Sequence, residues 1–236
     1  DDVETAVRWV KAHAAEFKGD PKRIALIGES GCGKSTVLAL LRGLYAPEPG
    51  VKLMVDGVNM PWEVLNQSAT LFPQEPEIFE NTISYNITLG LPFAETEVLQ
   101  VSDDAAFTDV IGQLTKGPES SIQEKGVNLS GGQKQRLALA RGILAARESD
   151  AVLLDEPTSS VDPRTEARIY DNIFSQFSDK AIASSLHRLH LLTRFDHVYV
   201  LQQGRIVEEG SFGSLKENGR AFRELWRHQE EMMERL

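Results

Sequence analysis

Cysteine is nearly missing from this chain: its 236 residues include one, Cys32. With no second thiol, no disulfide can close within the chain, which excludes a secreted disulfide scaffold. Long apolar runs are missing too. No stretch approaches the roughly 18–20 residues of a membrane-spanning helix, and no basic-then-apolar leader opens the sequence. The chain is therefore expected to be soluble by itself, with any membrane work done through a partner. Basic charge is in deficit, with 25 Lys and Arg against 35 Asp and Glu, a net charge of −10. A general grip on nucleic acid needs a basic field, so no nucleic-acid partner is expected. Internal repeats and low-complexity tracts are also missing. What is left is ordinary globular composition, long enough for one large domain or a domain with a subdomain.

The rest of the chain is organised around Gly28, Glu29, Ser30, Gly31, Cys32, Gly33, Lys34, Ser35 and Thr36. An apolar run, Ile24 to Ile27, reads as a short buried strand before it, and Val37 to Leu41 reads as the start of a helix after it. Strand, glycine-rich turn and Lys-Ser-Thr entering a helix is the context of a P-loop. Glycines let the backbone wrap an anion without Cβ clashes, so that consecutive N–H groups point inward as a nest. The helix N-terminus adds partial positive charge, Lys34 adds a full one, and Ser35 offers a hydroxyl to Mg²⁺. These residues predict binding of a nucleoside triphosphate, against the alternative of a chance glycine turn before a helix.

Around this loop the pattern alternates. Val3, Val7, Val10, Ala14 and Phe17 lie on one face of a predicted helix that Gly19-Asp20-Pro21 stops. Val51 to Val55 followed by Asp56-Gly57 reads as a strand and turn of a hairpin. Ala69 to Phe72 reads as a strand. Residues 75 to 147 read as a helical subdomain, its last helix running from Gln133 to about Arg147. Ala151 to Leu154 is an apolar strand, a helix from Asp162-Pro163 runs to about Phe177, and Ala181 to Leu186 is a further strand. Val198 to Leu201 and Gly204 to Val207 form a last hairpin, and a charged amphipathic helix begins at Leu215. Strands alternating with helices predict an α/β fold with a mostly parallel sheet and a small antiparallel β part.

Two further stretches carry chemistry. The strand Val152-Leu153-Leu154 delivers Asp155 to its carboxyl end, where a carboxylate can hold Mg²⁺ directly or through water, and Glu156 next to it can polarise a water on the γ-phosphate as general base. In Leu129-Ser130-Gly131-Gly132-Gln133, Ser130 caps the following helix and the glycines admit close approach, making a second anion-binding helix start. The plain alternative is a helix cap alone. If the two anion sites lie on opposite edges of one chain, one triphosphate reaches both only in a head-to-tail two-fold dimer.

Together these motifs resemble the nucleotide-binding domain of an ABC transporter. The resemblance runs from about Arg23 to the end, through the P-loop, Gln74 after Leu71-Phe72-Pro73, the Leu-Ser-Gly-Gly-Gln stretch, Asp155-Glu156, Ser160-Val161-Asp162 and His187. It implies an Mg-ATPase working as an ATP-sandwich dimer, homo- or heterodimeric, on the cytoplasmic side of a membrane beneath transmembrane domains of the same or a separate chain. It implies that Gln74 joins metal and attacking water to the transmembrane interface, that Asp162 crosses the dimer, and that His187 contacts the γ-phosphate. Catalytic work would thus fall to Glu156, His187, Lys34 and Gln74, and Mg²⁺ to Ser35, Gln74 and Asp155. Glu80-Asn81-Thr82-Ile83, Asn86-Ile87 and Ser121 to Gly126 resemble an exporter rather than an importer.

The N-terminus departs from that pattern. Residues 1–22 read as helical where the family begins with strands carrying an adenine-stacking aromatic, and residues 3–30 resemble a carboxylesterase-type α/β-hydrolase segment. That suggests two strand–turn–helix units spliced near Arg23 to Gly31, a chimera lacking the stack unless Trp9 or Phe17 supplies it. Ser30 as an esterase nucleophile would need Gly-x-Ser-x-Gly, and Cys32 occupies the place of the last glycine. His13, His190, His197 and His228 have no metal-ligand spacing. Rival functions are a nucleotide-binding module without turnover, a soluble ABC-type ATPase of DNA repair or translation, and a serine esterase.

Overall fold

The structure is a computed structural model that describes residues 22–48, 51–55, 58–122 and 129–233. The predicted N-terminal helix, with Trp9, Phe17 and most of the hydrolase-like segment, lies outside the described residues, as do residues 123–126 of the exporter-like stretch. The chain divides into two compact units, residues 1–71, 150–155 and 179–236 in the first and residues 72–149 and 156–178 in the second.

In chain order the elements are β1 (Arg23–Gly28), α1 (Lys34–Leu41), β2 (Leu53–Val55), β3 (Val58–Met60), α2 (Glu63–Ser68), β4 (Ala69–Phe72), α3 (Ile83–Thr88), α4 (Glu95–Asp104), α5 (Thr108–Ile111), α6 (Gly131–Ala145), β5 (Ala151–Asp155), α7 (Pro163–Gln176), β6 (Ala181–Ser185), β7 (His197–Gln202), β8 (Arg205–Gly210), α8 (Phe212–Asn218) and α9 (Arg220–Met233). A six-stranded sheet runs in the order β4-β5-β6-β1-β7-β8. β1 pairs parallel with β6 and β7, β5 pairs parallel with β6, and β7 and β8 form an antiparallel edge. β2 and β3 make a separate antiparallel hairpin. The sheet is thus mixed and mostly parallel, as the alternation predicted. Ala25, Ile27, Val152, Leu154, Val198 and Val200 are fully buried, the near-continuous apolar pattern of strands covered on both faces.

Register decides what this sheet presents. Leu26 and Asp155 both pair with Ser185, so the carboxyl ends of β1, β5 and β6 lie level at one edge, where open α/β sheets bind ligands. In the second unit α3 and α4 pack on α6 around Val101, Phe107, Leu137 and Ile143, all without solvent exposure. Arg141 of α6 ties down the segment before α3. Its guanidinium donates to the Asn86 carbonyl at 2.6 Å and the Glu77 carbonyl at 2.9 Å, and lies 5.1 Å from the Phe79 ring centroid.

Two elements differ from the sequence expectation. α2 was not predicted; at six residues it is too short for apolar periodicity to register. The C-terminal helix expected from Leu215 is two helices. Ser211 caps α8 by accepting the Ser214 amide, and Glu208 accepts the amides of Arg220, Ala221 and Phe222, starting a fresh helix after Gly219.

Candidate phosphate and metal site

The glycine-rich turn does its work by backbone shape. Gly31 and Gly33 have φ of +76° and +102°, so successive N–H groups turn toward one concave face, the nest geometry that suits an anion. At Gly28 a Cβ would stand 2.3 Å from the Leu201 carbonyl oxygen and 2.6 Å from Cys32 Sγ, so only glycine lets the loop leave β1 against β7. The β7–β8 turn braces the loop from the same side, since Gly204 N–H donates to the Cys32 carbonyl at 2.9 Å. Sequence reasoning missed Gly204, because a hairpin turn carries no mark of what its amide faces.

Lys34 is only 4% exposed, and its ammonium is solvated by the loop itself, donating to the carbonyls of Gly28 at 3.0 Å and Glu29 at 3.1 Å. The charge is thereby held at the centre of the nest. Cys32 is buried among Leu26, Val37 and Leu38, with its sulfur 3.8 Å from the Lys34 ammonium. Beside the loop a cavity of about 780 Å³ is lined, among the described residues, by Glu29 to Cys32, Gln202, Gln203, Arg205 and Val207. Ser30, open to this cavity, belongs to the loop and not to a Gly-x-Ser-x-Gly elbow. Thr36 sits in the first turn of α1.

Asp155 ends β5 in the same unit. Its Oδ1 accepts the Ser35 hydroxyl at 3.0 Å and the Ser185 hydroxyl at 2.6 Å. A carboxylate and a serine hydroxyl converging at a phosphate nest are the oxygen donors Mg²⁺ takes when substrate phosphates and water complete its shell, so these residues fit the ion. Among the described residues no group of three or more His, Cys, Asp or Glu could hold a metal by itself. Ser185 is a second residue that sequence reasoning missed; a serine ending an otherwise apolar strand was the available signal. His187 follows β6 at this edge, where the Leu186 amide donates to the Leu26 carbonyl at 2.9 Å.

The second unit holds the remaining candidates. Gln74 Nε2 donates to Glu156 Oε2 at 3.1 Å, orienting the carboxylate. Glu156 has φ of +46°, a left-handed conformation that costs a non-glycine residue about 1–2 kcal/mol, so backbone strain sits at the proposed base. Ser130 caps α6 with the full reciprocal pattern: its hydroxyl accepts the Gln133 amide at 3.3 Å and Gln133 Oε1 accepts the Ser130 amide at 2.8 Å. What approaches Gly132 is the chain itself, since a Cβ there would meet the Ser160 carbonyl at 2.6 Å. Gln135, also missed, fastens the two segments together. It donates to Ser159 Oγ at 2.7 Å and accepts the Ser160 amide at 2.8 Å, ahead of Asp162, which caps α7. The exporter-like segments also meet in this unit: Thr82 bridges Ser121 and the Ile122 amide donates to the Asn81 carbonyl at 2.9 Å. Asn86 is fully buried and holds the Phe79 backbone at both its amide and its carbonyl.

A phosphate nest at the carboxyl end of a parallel strand, with a carboxylate strand paired two places away, defines a P-loop nucleotide-binding fold. The chain belongs to the ABC transporter family, whose sequence pattern matches residues 19–159. It is 36% identical over 211 residues to an ATM1-type heavy metal exporter of Novosphingobium aromaticivorans, covering 88% of this chain and 34% of the relative. It is 37% identical over 216 residues to the glutathione/L-cysteine transport system ATP-binding/permease protein CydC of Bacillus subtilis, covering 89% of this chain and 37% of the relative. A bacterial Atm1-family ABC exporter solved with ATP bound matches with a TM-score of 0.79 and 34% identity over 89% of this chain and 37% of the solved one. The chain therefore spans about a third of the length of these proteins. The likeness to a carboxylesterase-type segment draws no support from the comparisons, for the ABC transporter match already begins at residue 19. No helix among the described residues is long and apolar enough to cross a membrane.

Proposed function

We propose that the chain binds and hydrolyses Mg-ATP as the motor domain of an exporter, closing head to tail on a second nucleotide-binding domain. The observation that carries this reading is the junction at the end of β5. Asp155 is oriented by Ser35 and Ser185, and the next residue in the chain, Glu156, is oriented by Gln74. Two carboxylates in sequence, held by different donors, suit two different tasks. Lys34 exchanges the loop carbonyls for phosphate oxygens, and the nest amides cradle the remaining charge. Ser35 and Asp155, with Gln74, would hold Mg²⁺, which when bound would neutralise charge developing on the transferred phosphoryl group. Glu156 takes a proton from the attacking water as the water oxygen adds to the γ-phosphorus and the bond to the β,γ-bridging oxygen breaks. ADP leaves with that bridging oxygen and inorganic phosphate is released; His187 contacts the γ-phosphate. Ser130, Gly131, Gly132 and Gln133 of the partner domain close the other side, with Asp162 at the dimer seam.

Closure and reopening of the pair would drive transmembrane domains, on the same or another polypeptide, and hold the chain at the cytoplasmic face of its membrane. Relatives of similar identity carry different cargo names, so cargo choice is assigned to the transmembrane part. The test is steady-state phosphate release beside a Glu156→Gln control. Release should fall by about 10²-fold or more in the variant while ATP binding persists. Release no faster than the control in the unaltered chain would leave a nucleotide-binding module without turnover.

A further inference from the structure

His187 stands on a loop between the end of β6 and a 3₁₀ turn, Leu189–Arg194. On its N-terminal side the loop is pinned to β1 by the Leu186 amide on the Leu26 carbonyl. Its C-terminal side is pinned by a residue remote in sequence. Gln229 of α9 accepts the Leu189 amide at 2.6 Å through Oε1 and donates through Nε2 to the carbonyl of His187 itself. One carboxamide thus bridges Arg188 and pairs with the main chain on both sides of it, as a neighbouring strand would. Reversing the amide would set donor against donor and acceptor against acceptor, so only one orientation satisfies both groups.

The helix that carries Gln229 is itself firmly seated. Glu208 accepts three amides in the first turn of α9 at 2.6, 2.8 and 2.9 Å. Phe222 is fully buried, with its ring 5.9 Å from Phe212 and 6.0 Å from Trp226. Phe222 and Gln229 lie seven residues apart, about two helical turns, on one face of α9. Cap, aromatic anchor and clip are therefore parts of one rod.

We propose that Gln229 is a positioning residue for His187, setting the imidazole's aim through the backbone, so that the C-terminal helix takes part in the ATPase site. This rests on the γ-phosphate role proposed for His187. A contact to a transferring group tolerates little displacement, and a misplacement of about 1 Å costs up to about 10²-fold.

The experiment uses the full chain with Gln229→Met, which removes both hydrogen bonds and adds no charge beside His187. We expect kcat to fall about tenfold in Gln229→Met with KM and melting midpoint unchanged, and no further loss when Gln229→Met is added to His187→Ala. An unchanged kcat, or an equal further loss in the His187→Ala background, overturns the proposal. If Gln229→Met lowers the melting midpoint, NMR titration of the His187 imidazole in the nucleotide-free Gln229→Met chain, held below that midpoint, decides. A displaced His187 signal supports positioning, and an unmoved one overturns it. Absence of turnover above the Glu156→Gln control would instead defeat the ATPase reading, and the His187 titration would still report on Gln229.

Discussion

Asp155 shows how a single carboxylate is held at the buried end of a strand. Its Oδ1 lies between the Ser35 and Ser185 hydroxyls, one from the P-loop helix and one from the neighbouring strand. Ser185 has no solvent exposure and Asp155 is 8% exposed, so each hydroxyl replaces hydration that burial has taken away. Replacing Ser185 with Ala should therefore lower stability by about 1–3 kcal/mol, the usual cost of removing one partner from a buried polar group. Urea unfolding without nucleotide measures it, and an unchanged midpoint would mean that the hydroxyl does not support Asp155. Of this constellation Ser35, Asp155 and Glu156 were legible in the sequence as candidates, because their types and spacing are those that phosphate and Mg²⁺ chemistry would ask for. Ser185 was not, because its role comes from cross-strand register.

At the scale of elements side-chain caps fix the helix starts, and α7 offers the pH test. Asp162 Oδ1 accepts the amides of Arg164 at 3.1 Å and Thr165 at 3.0 Å. Hydrogen bonds from the Thr165 side chain, then from its amide, hold the Asp162 carboxyl below the usual carboxylate range. An unfolded Asp titrates near about 3.9, so the cap's contribution is complete above that value and is lost as pH falls through the lower folded value. Asp162→Asn also caps a helix but does not titrate in this range. The stability of the unaltered chain relative to Asp162→Asn should be constant from about pH 7 to 5 and decline below about pH 4. Denaturant midpoints at each pH read this, and a difference that stays flat through acid would remove the ionised cap. Ser130 and Asp162 were legible as caps from the sequence. That Gly132 makes room for Ser160, and that Gln135 ties those segments together, depended on a fold-back across more than twenty residues.

At the scale of the molecule the proposal requires a second copy or a close equivalent, and the charge makes the requirement measurable. Each chain carries −10, so two identical chains approach against their mutual repulsion. Mg-ATP held by Glu156→Gln should convert monomer to dimer in sedimentation, and raising salt moderately should favour the dimer by screening that repulsion. A chain that stays monomeric at saturating Mg-ATP at every salt concentration would contradict a sandwich of identical domains.

By itself the sequence determined the fold class and the helix caps and marked the candidate phosphate loop and both candidate carboxylates, since each is specified within a few consecutive residues by glycine geometry, apolar period or ligand chemistry. Only the tertiary structure decided that Ser185 supports Asp155, that Gly204 braces Cys32 in the loop, and that Gln229 clips the backbone of His187. Those contacts join residues about 30, 172 and 42 positions apart, and a hydrogen bond at such a distance is set by strand register and helix docking, which no local pattern records.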